Sequence, residues 1–368
     1  MIFATNKLEF PFFKMKNTYI NGTGCVSAQK TFDAAFLEAA VANTTDTLLP
    51  ICAPDYKAFI PPVAIRRMAK GVKYGTVAAT IALQEAGNPD LDAIITGTGM
   101  GCIDDSDKFL RAIIDNNEAF LTPTSFIQST HNTVGAQIAL GLKCKAYNFT
   151  YVNAAVSFES AVIDAQMQLE SGEAATVLVG GIDEMNDYTA QLFKLNGCIK
   201  TEIEPTHTLL HSKTTGAVFS EGATFFVLGS EKQATSYAQI KEVALTNTLT
   251  QDEIAEKMTA FLQQHGLTVA DIDAVILGYN GDVTFDGYYQ KVAAELFQNT
   301  PQVYYKHLSG EYNTASAFGL WVGANIIKTQ DIPDIVKANA VASSTIRTVL
   351  LYNQYRGLDH SFIVISSC

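Results

Sequence analysis

The sequence predicts an α/β fold, and three observations carry that reading. Short β-branched apolar segments, such as those beginning at Ala93 and Thr176, alternate with longer helical patterns, and Gly or Pro marks the joints. No low-complexity linker interrupts the 368 residues. The run Leu91-Asp-Ala-Ile-Ile-Thr-Gly97 is echoed by Ile272-Asp-Ala-Val-Ile-Leu-Gly278, each preceded by a helix and a short acidic turn. Two similar halves, residues 1–230 and 231–368, are therefore expected to share one core.

Residues 18–24 read as a first short strand ending in a Gly turn. Helical patterns follow at 33–41 and 65–85, the second closing on Ala86-Gly87 as a C-terminal cap. The run from Ala93 is a buried strand entering a Gly-rich turn. Gly97-x-Gly99-x-Gly101 has neither the Lys-Ser/Thr of a phosphate cradle nor dinucleotide spacing, so a tight strand-to-helix turn is the reading. Thr150-Tyr-Val-Asn-Ala-Ala-Val-Ser157 then leads from a strand into a helix, which aims the first helical side chain at a pocket. The helix's free N–H groups would activate a thiol there, but position 155 is Ala. Helix end, turn, strand and a glycine pair follow through Gly181, and residues 361–366 are the expected late counterpart of that strand.

Composition narrows the function. With 48% hydrophobic and 17% charged residues the chain is globular and well packed. A net charge of −12 without a Lys/Arg cluster argues against nucleic acid as the main partner. An acidic surface would also repel an acidic carrier protein, unless a local basic patch or a second subunit supplies the docking site. The six cysteines are scattered, with no Cys-x-x-Cys spacing and no His at ligand distance, so no metal, redox pair or other cofactor is expected. Charges break the N-terminal stretch where a signal peptide needs an apolar run, and no later run is long enough to span a bilayer, so a cytoplasmic, membrane-free protein is expected.

Tyr19-Ile-Asn-Gly-Thr-Gly-Cys-Val-Ser27, Arg66-Arg-Met68 with Tyr74, Ile94-Ile-Thr-Gly-Thr-Gly-Met-Gly101, Gly172-Glu-Ala, Gly180-Gly181 and Ser220-Glu-Gly-Ala-Thr-Phe-Phe-Val-Leu228 follow one another along essentially the whole chain. Taken together they resemble the successive landmarks of the β-ketoacyl-acyl carrier protein synthases, which are thiolase-fold condensing enzymes. The resemblance implies a five-layered αβαβα fold from two duplicated halves. It also implies a twofold dimer pairing strands at Tyr147-Asn-Phe-Thr-Tyr-Val-Asn153, with Tyr147, Phe149, Tyr151 and Phe158 at the pocket or dimer interface.

Active members of that family carry a Cys nucleophile and two His residues. The Cys lies seventeen residues before the Gly of the turn that here begins at Gly172, which places Ala155 at the nucleophile position. The first His falls on Asn280 and the second on Glu311, five residues after a retained Lys306. The family's Glu beyond the second His becomes Leu320. Its C-terminal glycine loop, which helps form the oxyanion site, becomes Tyr352-Asn-Gln-Tyr-Arg-Gly-Leu-Asp-His360.

An Ala methyl cannot form a thioester. Ser157 falls on another side of the helix start, Ser160 in the helix body and Cys144 in the preceding loop, so none replaces the nucleophile. His131, in a turn, and His307, turned away from Lys306, read as structural, and the pairs Tyr288-Tyr289 and Tyr304-Tyr305 as core. Lys306 and Glu311 read either as a buried ion pair filling the space of the lost imidazoles or as a polar site for a malonyl group. A carboxylate at Glu311 would repel the malonyl carboxylate. No catalytic residue is expected, and the best-fitting role within the family is that of the chain-length factor. Such a subunit lacks catalysis and pairs with an active ketosynthase in type II fatty-acid, polyketide or polyene biosynthesis. Two alternatives stay open: a repurposed condensing enzyme or malonyl decarboxylase using Lys306, Asn280 and Glu311, and an acyl-carrier-protein binding module. A homodimer remains open beside the heterodimer.

Overall fold

Two five-stranded units of mirrored order, joined in one ten-stranded sheet, build the protein. The computed structural model describes residues 17–33, 35–42, 46–202, 205–342 and 345–368. The first half runs β1 (Thr18–Val26), α1 (Pro62–Ile65), α2 (Lys70–Glu85), β2 (Ala93–Gly97), α3 (Ile103–Asp115), α4 (Pro123–Gln128), α5 (Thr133–Leu142) and β3 (Tyr147–Tyr151). It continues with α6 (Ser157–Ser171), β4 (Thr176–Asp183), α7 (Asp187–Leu195) and β5 (Gly222–Gly229). The second half has β6 (Ala238–Asn247), α8 (Ile254–Gln264), β7 (Ala274–Leu277), α9 (Gly287–Glu295), β8 (Gln302–Tyr304), α10 (Lys306–Ser309), α11 (Ser316–Thr329), β9 (Thr348–Tyr355) and β10 (Asp359–Ser366).

The strand order is β3-β2-β4-β5-β1 followed by β6-β10-β9-β7-β8, so the second unit repeats the first in reverse order across the β1–β6 seam. Parallel pairs β2–β3 and β2–β4 match β7–β8 and β7–β9, and the antiparallel pairs match likewise. The echo between residues 91–97 and 272–278 is therefore real, since β2 and β7 hold equivalent places. The second expected echo needs correcting: the counterpart of β4 is β9, and residues 361–366 lie in β10, the counterpart of β5.

Three apolar layers explain the stack. α2 and α5 cover one outer face through Val72, Val77 and Ile138, and α8 and α9 cover the other through Met258, Leu262 and Tyr289. α6 and α11 lie between the sheets with Phe158, Val162, Phe318 and Val322. α11 has twelve consecutive buried residues from Ser316 to Ile327, which is why its sequence is apolar all round rather than striped.

Several local expectations change. The first strand does not turn at Gly24 but runs on to Val26. Its glycines serve packing: a Cβ at Gly22 would lie 2.2 Å from the Ala82 carbonyl oxygen and one at Gly24 2.0 Å from that of Ala78, so only glycines let α2 lie this close. Among the described residues of 33–41 there are turns and no helix. The pattern at 65–85 is broken, with α1 ending at Ile65 and α2 starting at Lys70. The break has a long-range cause, because Glu184 Oε2 accepts the Gly71 N–H at 2.7 Å and so caps the start of α2 from outside it. α2 does end on Ala86, and Gly87 follows at φ +79°. Residues 352–360 are not a loop but the end of β9, a tight turn and the start of β10.

Candidate degenerate active site

Ala155 lies in a 3-10 turn (Ala154–Val156) before α6, not at the first helical position, and is 2% exposed. Ala154 takes φ +46°, a conformation a non-Gly residue adopts only when its surroundings impose it. Ser157 imposes it: its Oγ donates to the Ala154 carbonyl at 2.7 Å and accepts the Asn153 N–H at 2.8 Å. Ser160 Oγ donates to the Val156 carbonyl, and Cys144 Sγ faces the Leu91 carbonyl at the far end of β2. Both serine hydroxyls are engaged by backbone groups and neither is directed at a base.

Asn280, Lys306 and Glu311 come together. Asn280 sits in the loop after β7, where Asp286 accepts the backbone N–H groups of Asn280 and Gly281 at 3.2 and 2.9 Å. Burial pushes the Asp286 carboxyl up to about 7. Lys306 opens α10, and Glu311 follows at a strand-like bridge, its N–H donating to Val218 and its carbonyl accepting from Ser220. Lys306 Nζ and Asn280 Nδ2 both donate to Glu311 Oε2 at 2.7 Å. All three residues are buried, so one carboxylate oxygen holds both of the donors the site has left. Leu320 is buried in α11 within the central layer.

One turn beyond Ala155, Glu159 was not foreseen. Its Oε1 accepts from Ser361 Oγ at 2.6 Å, while Oε2 has no partner and the nearby Ser316 Oγ has none either. Burial raises the Glu159 carboxyl above its ordinary range, against the pull of the Ser361 hydrogen bond and the Lys306 charge. A charge among the core positions 158, 161, 162, 165 and 169 of one helix was the available signal.

The hairpin at 352–360 is tied by its side chains. Tyr352 OH and His360 Nδ1 share a hydrogen bond of 3.1 Å, and Tyr289 OH bridges to the backbone of Gln354. Strand pairing of β9 with β10 engages its backbone amides. His307 is stacked on Tyr304 and bonded to the Ile335 carbonyl, and burial takes it down to about 3. His131 is exposed in the turn before α5, and Tyr288, Tyr289, Tyr304 and Tyr305 are buried.

Among the described residues β3 is an edge strand paired only with β2. Tyr147 and Phe149 are 42% and 45% exposed and Tyr151 is half-buried; the Tyr147 and Phe149 rings stack, and the Tyr151 ring lies tilted against Phe149 along the same face. Phe158 is different, being fully buried against Phe226 in the central layer.

The strand order and helix layers define a thiolase-type condensing-enzyme scaffold. The β-ketoacyl synthase N-terminal domain model matches residues 25–234, and the chain belongs to the β-ketoacyl synthase family. Solved structures share the fold at low identity. A β-ketoacyl synthase from Burkholderia phymatum matches with a TM-score of 0.79 at 19% identity, over 96% of this chain and all of that one. The ishigamide ketosynthase/chain length factor matches at 0.77 and 17%, with the same coverage. The ketosynthase ApeO in complex with its chain length factor ApeC, from Xenorhabdus doucetiae, matches at 0.71 and 16%, over 98% of this chain and all of that one. No curated protein matches by sequence. Among the described residues no helix is long and apolar enough to cross a membrane.

Proposed function

We propose that the chain is a non-catalytic, chain-length-factor-type subunit that pairs with an active ketosynthase in a cytoplasmic type II fatty-acid, polyketide or polyene pathway. One observation carries the reading: Glu311 Oε2 takes both Lys306 and Asn280 at 2.7 Å, while Ala155 supplies no nucleophile. A malonyl carboxylate entering there would meet Glu311 and find both donors engaged, which argues against the decarboxylase alternative.

The surface supports a partner. β3 leaves one edge unpaired beneath exposed aromatic rings. α3 has no buried residue, and its Leu110 and Ile114 are 59% and 74% exposed. Exposed apolar surface and an open strand edge are each what a second subunit covers. Two of the similar structures are titled as ketosynthases with a chain length factor. Another is titled as a type II carrier protein with its ketosynthase, and a carrier protein is the further partner proposed here. The halves are proposed to divide near residue 230.

Co-expression with a Cys-bearing ketosynthase is the test. A heterodimer, with acyl adducts found by intact mass on the partner alone, is the expected result. Carbon dioxide released from malonyl-carrier protein by this chain, or an acyl adduct on it, would refute the proposal. So would a homodimer that ignores such partners.

A further inference from the structure

A groove on the outer layer, away from the degenerate site, has the chemistry of a binding site. It runs between α1, α2 and α5 with a volume near 450 Å³, and Met68, Leu83, Ile138 and Leu142 are among its apolar lining residues. A second cavity near 290 Å³ extends toward α4, sharing Ala64, Met68 and Gln137 with the first. Volumes of this order suit a small ligand with a long apolar part.

The two ends differ. The α5 end is lined by Leu140 and Leu142. The α4 end is lined by Arg67, Gln128 and Gln137. Gln128 is 7% exposed, and its Nε2 donates to the Arg67 carbonyl and so ties down the backbone that carries the guanidinium. Arg67 is exposed and forms no ion pair with an acid among the described residues. In a chain of net charge −12, an unpaired guanidinium at one end of an apolar groove is charge complementarity for an anion carrying a hydrocarbon tail.

We infer that this groove binds a free medium-chain carboxylate, with the head group at Arg67 and the tail lying toward Leu83 and Leu142. The site is separate from the ketosynthase remnants, and the inference stands whether or not the proposed subunit role holds.

Isothermal titration of the full chain with decanoate, below its micelle concentration, is the test. A single saturable site is expected. Arg67→Gln should weaken it about fivefold, the scale of one exposed charge contact. Decan-1-ol should bind more weakly than decanoate and be indifferent to that substitution. Ala64→Trp, at a half-buried position lining both cavities, should abolish binding while leaving the melting temperature near wild type, and a melting curve checks that the variant is folded. No saturable binding by the wild type, or binding unchanged in Ala64→Trp, would overturn the site. Binding unchanged in Arg67→Gln would overturn the head-group assignment, and loss of decanoate binding on adding a ketosynthase partner would make the groove a protein interface instead.

Discussion

Lys306→Met is the sharpest perturbation the site offers. Lys306 Nζ and Glu311 Oε2 are 2.7 Å apart, with side-chain exposures of 0% and 3%. Removing one partner of such a pair leaves an uncompensated buried charge, a loss of about 3–5 kcal/mol. Unfolding entropy of about 2.1 cal/mol/K per residue over 368 residues gives roughly 0.8 kcal/mol per kelvin. The melting temperature should therefore fall by about 4–6 °C. In Lys306→Met/Glu311→Leu the buried charge is gone and mainly the Asn280 amide loses its acceptor, at about 1–3 kcal/mol, so the double variant should recover part of the loss. Scanning calorimetry on the chain alone and with its partner reads both. Lys306→Met melting within a degree of wild type, or a double variant no more stable than the single, would show that the pair is not the compensated buried charge described above.

Three other outcomes are expected. Ala155→Cys restores a thiol but no base or oxyanion site, so acyl transfer from an acyl-carrier thioester should stay at background by intact mass; stoichiometric acylation would show that the surrounding pocket is still competent. Phe149→Asp, on the open face of β3, should weaken heterodimer formation by about 5- to 100-fold, the range of a buried aromatic contact, while the isolated chain keeps its circular dichroism; unchanged association by analytical ultracentrifugation would remove β3 from the interface. Asp286 is raised from its ordinary 3.8 to about 7. Its contribution is therefore fully present below about pH 4 and lost as the pH rises through about 7. Asp286→Asn should flatten the stability-versus-pH curve across that window, and parallel curves for wild type and variant by urea titration would contradict it.

The fold was legible because its duplication leaves a residue-level echo in β2 and β7, and because the landmark motifs occur in order. The break before α2 was not, since the cap that starts the helix is Glu184, more than a hundred positions away. The hairpin at 352–360 was hidden for a related reason: a Gly-rich loop in relatives gives no propensity signal for a chain that fills the place with Tyr and Gln. Ala155, Asn280, Lys306, Glu311 and Leu320 were singled out through the family resemblance, but not that one oxygen of Glu311 would bind two of them. That arrangement depends on the strand-like bridge at Glu311, which periodicity does not encode. Glu159 lay in plain view among the apolar positions of its helix, yet its unpartnered oxygen is a property of packing with α11 and β10.

That bridge at Glu311 also bears on how the molecule comes apart. Its backbone joins Phe219, which is itself bridged to Leu48, while its side chain holds Asn280 and Lys306. A short ribbon from the first half is thus fastened to the remnants in the second, and the β1–β6 seam is a second fastening. The two halves should open as one cooperative unit, with hydrogen-exchange protection in β4 and β9 rising and falling together. In this protein the Glu311 cluster acts as a clasp.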